Sequence, residues 1–282
     1  MTGHDPDFLG VPVPLPEVGR EVRVLPSTHF TVLLDPLRRL AAATVVDVDG
    51  AQLVDVPRDD DWHLDPRVAA DEQTGPELYA RNDLDRGHLV RRRDPVWGDP
   101  ATAARANTET FAYPNAAPQA ARFNQSLDLW NGLEDHVLEH ARTLGLRLVV
   151  ETGPVLAADD PVYRGVGIPR LFWKVVTWAA GGGVAAGPVG TLAATAFVLD
   201  QTPQLGELEL RAADARALAA GDVPPLGPFR TFQVPVGDVK ALTGLDLGPL
   251  VAADVLVPAP AAAGVADRAG WRELGVRSDV VL

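Results

Sequence analysis

Apolar positions along the chain fall mostly into short, β-branched runs separated by turn signals, and one long stretch breaks that rhythm with a helical repeat. The β-like pattern begins at Val22. His29–Asp35 and Ala43–Gly50 read as strands, the second ending in the turn pair Asp49-Gly50. The run QLVDVP then looks like a returning strand, so Ala43–Pro57 predicts a hairpin. Leu146–Pro154, Leu171–Ala180 and Thr191–Asp200 are near-continuous apolar runs expected of buried strands, with Gly181-Gly182-Gly183 as a turn between the last two. From Asn124 to Leu144 the pattern changes. Leu129, Leu133, Val137, Leu138 and Ala141 recur at three- and four-residue steps, which predicts an amphipathic helix stopped by Gly145.

Between these elements, residues 58–87 are polar and broken by Gly75, Pro66 and Pro76, and they read as a long functional loop. Gly87–Arg93 and Thr110–Asn115 are expected as two short strands ahead of the helix. The first twenty residues form an irregular arm. After Gln201 the chain turns rich in Ala, Pro and Leu, with short helices expected at Glu209–Ala220 and Val236–Leu245 and a low-complexity surface loop at Val255–Gly270. No internal repeat is visible. The pattern therefore predicts one α+β domain over residues 1–282, with residues 202–282 packed on the same body.

Composition narrows the chemistry. The 282 residues contain no cysteine, which excludes disulfides, thiol nucleophiles and thiolate zinc sites. No uninterrupted apolar run is long enough for a membrane helix, so no membrane partner is expected. The first residues also lack the order of a secretory signal, which leaves a cytoplasmic location or export by another route. The formal net charge is −13, on its face unfavourable for a polyanionic partner. Locally the balance reverses: residues 81–93 hold five arginines (Arg81, Arg86, Arg91, Arg92 and Arg93) against Asp83 and Asp85.

That basic window carries the candidate chemistry. In Asp85-Arg86-Gly87-His88, an imidazole able to take a proton from water stands two residues from a guanidinium suited to phosphate oxygens. Asn115 and Asn124 follow. Asn124 stands at the start of the predicted helix, where its amide oxygen is a hard donor suited to Mg²⁺. Glu134 falls on roughly the same side of that helix. Taken singly, each part reads as a turn histidine, a helix cap or a solvated arginine face; the order of the parts is what carries information. A competing pattern, His136-Val137-Leu138-Glu139-His140, matches the inverted zinc-protease motif, although the two histidines and the glutamate also read as the solvent face of the helix.

The ordered set Asp85–His88, Asn115–Gln119, Phe123–Gln125 and Trp130–Glu134 resembles the DNA/RNA non-specific endonucleases, a group of ββα-metal nucleases that includes mitochondrial endonuclease G. Phe8–Pro16, Thr28–Ala41, Arg58–Arg67, Thr152–Leu156, Ile168–Val176 and Val234–Leu250 look like further family blocks in family order. The resemblance implies a ββα-metal nuclease fold with a central antiparallel sheet, flanking helices and long loops, and Mg²⁺-dependent cleavage of DNA and RNA, with Mn²⁺ as an alternative ion. It implies His88 as general base, Asn124 as the protein's metal ligand, Glu134 as the acid orienting metal-bound water, and Asn115 as a residue ordering the site. Arg86 is the motif arginine, and Arg58, with Arg67 as its rival, contacts the phosphate. Arg91, Arg92 and Arg93 would add to substrate binding. A homodimer and an inhibitory or regulatory partner are further expectations. The non-enzymatic alternative is a silent nuclease fold kept for binding.

Overall fold

The computed structural model describes residues 3–120, 137–139, 141–180, 190–202, 205, 230–256 and 270–274. Its centre is an eight-stranded antiparallel sheet with strand order β1-β2-β3-β6-β9-β10-β11-β12. The strands are β1 Arg23–Ser27, β2 Phe30–Asp35, β3 Leu40–Asp49, β6 Arg147–Pro154, β9 Leu171–Ala180, β10 Thr191–Asp200, β11 Arg230–Val234 and β12 Arg272–Glu273; two small two-stranded ribbons stand apart from this sheet, β4 Leu84–His88 with β5 Ala116–Ala120, and β7 Val162–Tyr163 with β8 Val166–Gly167. The predicted runs 171–180 and 191–200 match β9 and β10 residue for residue, and the two pair along their whole length.

The continuous hydrophobicity of these strands has a physical cause. Both faces of the sheet are covered, so both sets of alternating side chains need apolar neighbours. Val46, Val48, Leu148, Val150, Phe172, Val176 and Phe197 pack on one face. Val45, Val149, Trp173, Val175, Ala196 and Val198 pack on the other. Burying one such large side chain is worth about 1.5–3 kcal/mol, so the sheet is the rigid floor of the molecule. The helical residues 137–139 and 141–144 lie on the first face, where Val137, Leu138 and Ala141 are buried. Gly145 ends that helix with φ +63, a conformation glycine adopts without Cβ strain. The remainder of the predicted helix, including Leu129 and Leu133, lies outside the described residues, as does the predicted helix at 209–220.

The predicted hairpin at 43–57 is not formed. β3 pairs with β2 on one side and β6 on the other, so both its edges are already taken. The chain after Gly50 leaves the sheet, and Leu53 makes only an isolated bridge to Trp97. The predicted loop at 58–87 contains a 3-10 turn at Ala70–Glu72 and a one-turn helix, α1, at Pro76–Tyr79. Its end, together with His88, is strand β4, Leu84–His88. Pattern reading missed a helix, α2, at Pro100–Glu109, although its start carried a signal. Asp99 accepts from the amides of Ala101 (3.0 Å) and Thr102 (3.1 Å), and proline occupies the first helical position. The expected helix near the C-terminal end is present as α3, Val236–Thr243, closed by Gly244 in the left-handed conformation.

The N-terminal arm is irregular, as expected, but it is tied down. His4 Nδ1 lies 2.6 Å from Asp47 Oδ1, and Nε2 lies 2.7 Å from the Val13 carbonyl. A ring carrying two protons can donate to both partners, while burial pushes the Asp47 carboxyl up. Burial alone would lower the pKa of His4; the bonds to Asp47 and Val13 outweigh that and raise it. Nearby, Glu151 of β6 is 1% exposed, and neither carboxylate oxygen has a hydrogen-bond partner among the described residues. Among those residues no helix is long and apolar enough to cross a membrane.

Candidate active site

Two short strands build the site. β4 pairs antiparallel with β5, Ala116–Ala120, and His88 stands opposite Ala116 and Arg86 opposite Pro118. Both strands are displaced from the predicted positions, 87–93 and 110–115. Residues 110–115 instead end in a 3-10 turn, Tyr113–Asn115, and β5 is Ala-Ala-Pro-Gln-Ala, a run with little intrinsic strand preference. Asn82 starts β4 by accepting from the Leu84 amide (2.9 Å). Gly87 is required by close approach, because a Cβ there would lie 2.1 Å from the side chain of buried Gln119.

Asn115 is the internal brace of this ribbon. It is fully buried; its Oδ1 accepts from the Val90 amide (2.8 Å), and its Nδ2 donates to the carbonyls of Val90 (2.9 Å) and Thr110 (2.9 Å). The side chain thereby locks the chain on both sides of the ribbon and holds His88 at the end of β4.

Around His88 the structure gathers aromatic rings and guanidinium groups. The Trp62 ring centroid lies 4.6 Å from the imidazole, and Phe111 stands edge-on at 4.9 Å. Trp62 also contacts Phe111 (5.3 Å) and Tyr113 (5.9 Å). The loop carrying Trp62 is pinned to this wall, because the His63 amide donates to the Phe111 carbonyl (3.1 Å) and the Tyr113 amide to the His63 carbonyl (2.9 Å). The Arg86 guanidinium lies 5.4 Å from the Trp62 ring centre and that of Arg58 5.6 Å from the Phe111 ring centre.

The imidazole is partly exposed, yet its Nε2 is buried and has no hydrogen-bond partner among the described residues. Desolvation, then the positive fields of Arg58 and Arg92, push the pKa of His88 down to about 3. The ring is therefore neutral at physiological pH, with a lone pair available to take a proton. Arg92 donates to the Val56 carbonyl (2.9 Å) and to Asn107 Oδ1 of α2 (3.1 Å). Both acceptors are uncharged. The pKa of Arg92 is itself lowered by burial and by Arg58, Arg93 and Arg91.

The two rival arginines separate. Arg58 pairs with Asp60 (2.7 Å) at the surface and acts electrostatically on His88. Arg67 faces elsewhere: Asp65 holds its Nε (2.9 Å) and Nη2 (2.6 Å), and its Nη1 donates to the Pro26 carbonyl. Arg93 lies 3.4 Å from Asp55, and Arg91 is half-buried in the same turn. Asn124, Glu134, His136 and His140 lie outside the described residues. Glu139 is exposed on the helix and interacts with Thr143. Sequence reading missed Trp62, Phe111 and the bracing helix α2. The motif Arg58–Arg67 did contain the tryptophan, but nothing local to it indicates that it meets His88, twenty-six positions later.

Among the described residues no group of three or more His, Asp or Glu gathers to hold a cation. The described surroundings of His88 are cationic and aromatic, and the residues expected to hold a cation, Asn124 and Glu134, lie outside them.

The model of the DNA/RNA non-specific endonuclease family matches residues 15–254. The uncharacterized protein y4fB of Sinorhizobium fredii is 41% identical over 197 residues, 62% of this chain and 30% of that protein. Mitochondrial endonuclease G of Bos taurus is 26% identical over 205 residues, 68% of this chain and 57% of that protein. The matches thus span less than two thirds of either relative. Among solved structures, the complex of EndoG with EndoGI, described as revealing the mechanism of EndoG inhibition, matches with a TM-score of 0.57 at 19% identity, covering 81% of this chain and 86% of that one. At that identity the likeness concerns the fold.

Proposed function

The chain belongs to the DNA/RNA non-specific endonuclease family, and from that premise we propose that it hydrolyses phosphodiester bonds in DNA and RNA with His88 as general base. The observation that carries this reading is the neutral, partly exposed imidazole of His88, whose Nε2 has no hydrogen-bond partner among the described residues, set among Arg58, Arg86 and Arg92. A phosphodiester drawn in by those guanidiniums would lie beside the exposed part of an uncharged imidazole.

In the proposed reaction, the neutral imidazole of His88 removes a proton from a water molecule whose oxygen attacks phosphorus; the P–O3′ bond opposite breaks, and the departing 3′ oxygen takes a proton from solvent. Arg86 and Arg58 stabilise the charge that develops on the non-bridging oxygens, an interaction strongest in the transition state. Asn115 contributes by bracing the ribbon. A divalent cation, Mg²⁺ or Mn²⁺, would be held by Asn124 with Glu134 orienting its waters, and when bound it supplies Lewis-acid stabilisation at the phosphate. The β4–β5 ribbon, followed in sequence by helical residues 137–139 and 141–144, supports a ββα-metal architecture within a single nuclease domain. Recognition through guanidinium and metal reads backbone rather than bases, in keeping with low sequence specificity. The solved complex of EndoG with EndoGI makes an inhibitory protein partner a reasonable extension of the proposal.

The test is cleavage of plasmid DNA and of single-stranded RNA, with Mg²⁺ and with EDTA, by wild type and His88→Ala. General base catalysis contributes about 10²–10⁴-fold, so His88→Ala should lose at least the lower of these while remaining folded. Wild-type cleavage rates in the variant would overturn the assignment; absence of cleavage in the wild type would favour a silent binding fold.

A further inference from the structure

We infer that Trp62 is a positioning residue, one that fixes the ring plane of His88 and the resting place of the Arg86 guanidinium; the inference rests on the proposed hydrolytic reading. A histidine base is commonly oriented by a carboxylate or carbonyl on its second nitrogen. Here the contacts that define the ring plane are aromatic. Trp62 tilts against the imidazole at 4.6 Å with 52° between planes, and Phe111 meets it edge-on at 4.9 Å and 86°. The two rings confine the imidazole from different directions. An orienting carboxylate in this position would add a negative charge beside the scissile phosphate; an indole adds none.

Trp62 has a second consequence. The guanidinium of exposed Arg86 rests 5.4 Å from its ring centre, an attraction available before any phosphate arrives. The indole therefore stores the arginine near His88. The indole's own position is fixed by backbone pairing, since the Trp62 amide donates to the Asp60 carbonyl (3.0 Å) and the adjoining His63 bonds to Phe111 and Tyr113. Arg58 and Arg92, which also draw in the phosphodiester, are held apart from the indole: Arg58 lies over Phe111 and Arg92 donates to Val56 and Asn107. Loss of the indole should therefore slow turnover and leave substrate affinity nearly unchanged.

The experiment compares Trp62→Leu and Trp62→Phe with wild type by steady-state cleavage of a short oligonucleotide. Misplacement of reacting groups by an ångström can cost about 10²-fold. Trp62→Leu should lower kcat by roughly 10–100-fold with KM within about threefold, and Trp62→Phe should recover most of the loss. The ring protons of His88, assigned by their disappearance in His88→Ala, should move in Trp62→Leu as the indole ring current is removed. An unchanged kcat would overturn the inference, as would a raised KM at constant kcat, which would identify a base-stacking platform instead. If Trp62→Leu fails to fold, Trp62→Phe and Trp62→Tyr carry the kinetic comparison, and a kcat loss of the same size in all variants overturns it. If the wild type does not cleave nucleic acid, the hydrolytic reading fails, and the His88 ring shift separately decides whether Trp62 sets the imidazole.

Discussion

Replacing Glu151 by glutamine tests how the sheet tolerates a buried acid. Glu151 lies in β6 between Val45 and Val175, is 1% exposed, and has no hydrogen-bond partner for either oxygen among the described residues. Desolvation pushes its pKa up to about 8, against 4.5 for the free side chain, with protonated His4 as a partial counterweight. The native state therefore holds a proton that the unfolded chain releases between those two values. The stabilising contribution is complete below pH 4.5 and is lost as pH rises through about 8. At ~1.4 kcal/mol per pKa unit, the full span corresponds to about 5 kcal/mol. Glutamine has nearly the same shape and no ionisation, so the variant escapes that loss. Urea unfolding of both proteins from pH 5 to 9 should show Glu151→Gln gaining on wild type by ~1.4 kcal/mol per pH unit over the middle of the range. A stability difference independent of pH would refute the reasoning, because it would mean Glu151 ionises equally in both states.

The remaining predictions concern the site. Because His88 is held neutral with a pKa near 3, kcat/KM should show no acid limb between pH 6 and 7; a limb at the ordinary imidazole value would contradict the environment described above. The same depressed value makes stability fall as pH drops from 6.5 toward 3, since only the unfolded chain then binds the proton, and His88→Ala should flatten acid unfolding in that window. Asn115→Ala removes three buried hydrogen bonds and should destabilise by about 2–4 kcal/mol in denaturant unfolding, with activity lost through disorder of the ribbon. Arg58→Ala should impair cleavage more than Arg67→Ala, which acts instead on stability through the Asp65 pair; equal kinetic losses would remove the distinction between the two arginines.

The long strands were legible because each is buried on both faces, so its apolar run is unbroken and its period needs no interpretation. The same was true of the helix stop at Gly145 and of α3. Helix α2 was legible in principle from Asp99-Pro100, but its alanine-rich body offered no apolar stripe. β4 and β5 were misplaced because Ala116–Ala120 becomes a strand only by pairing with Leu84–His88, and neither segment carries strand preference alone. The predicted hairpin after Gly50 failed for the complementary reason: β6, nearly a hundred positions on, takes the edge that a local return strand would have used.

The candidate site divides in the same way. Sequence order alone pointed to the family to which the chain belongs and singled out His88, Arg86 and Asn115 as candidates, because covalent spacing preserves the motif. Folding decided that Arg58 reaches the electrostatic neighbourhood of His88 while Asp65 neutralises Arg67, that the carboxamide of Asn115 is spent on the backbone, and that Trp62 leans on the imidazole. Those facts depend on distances between residues far apart along the chain, and such distances exist only once the sheet has brought the loops together.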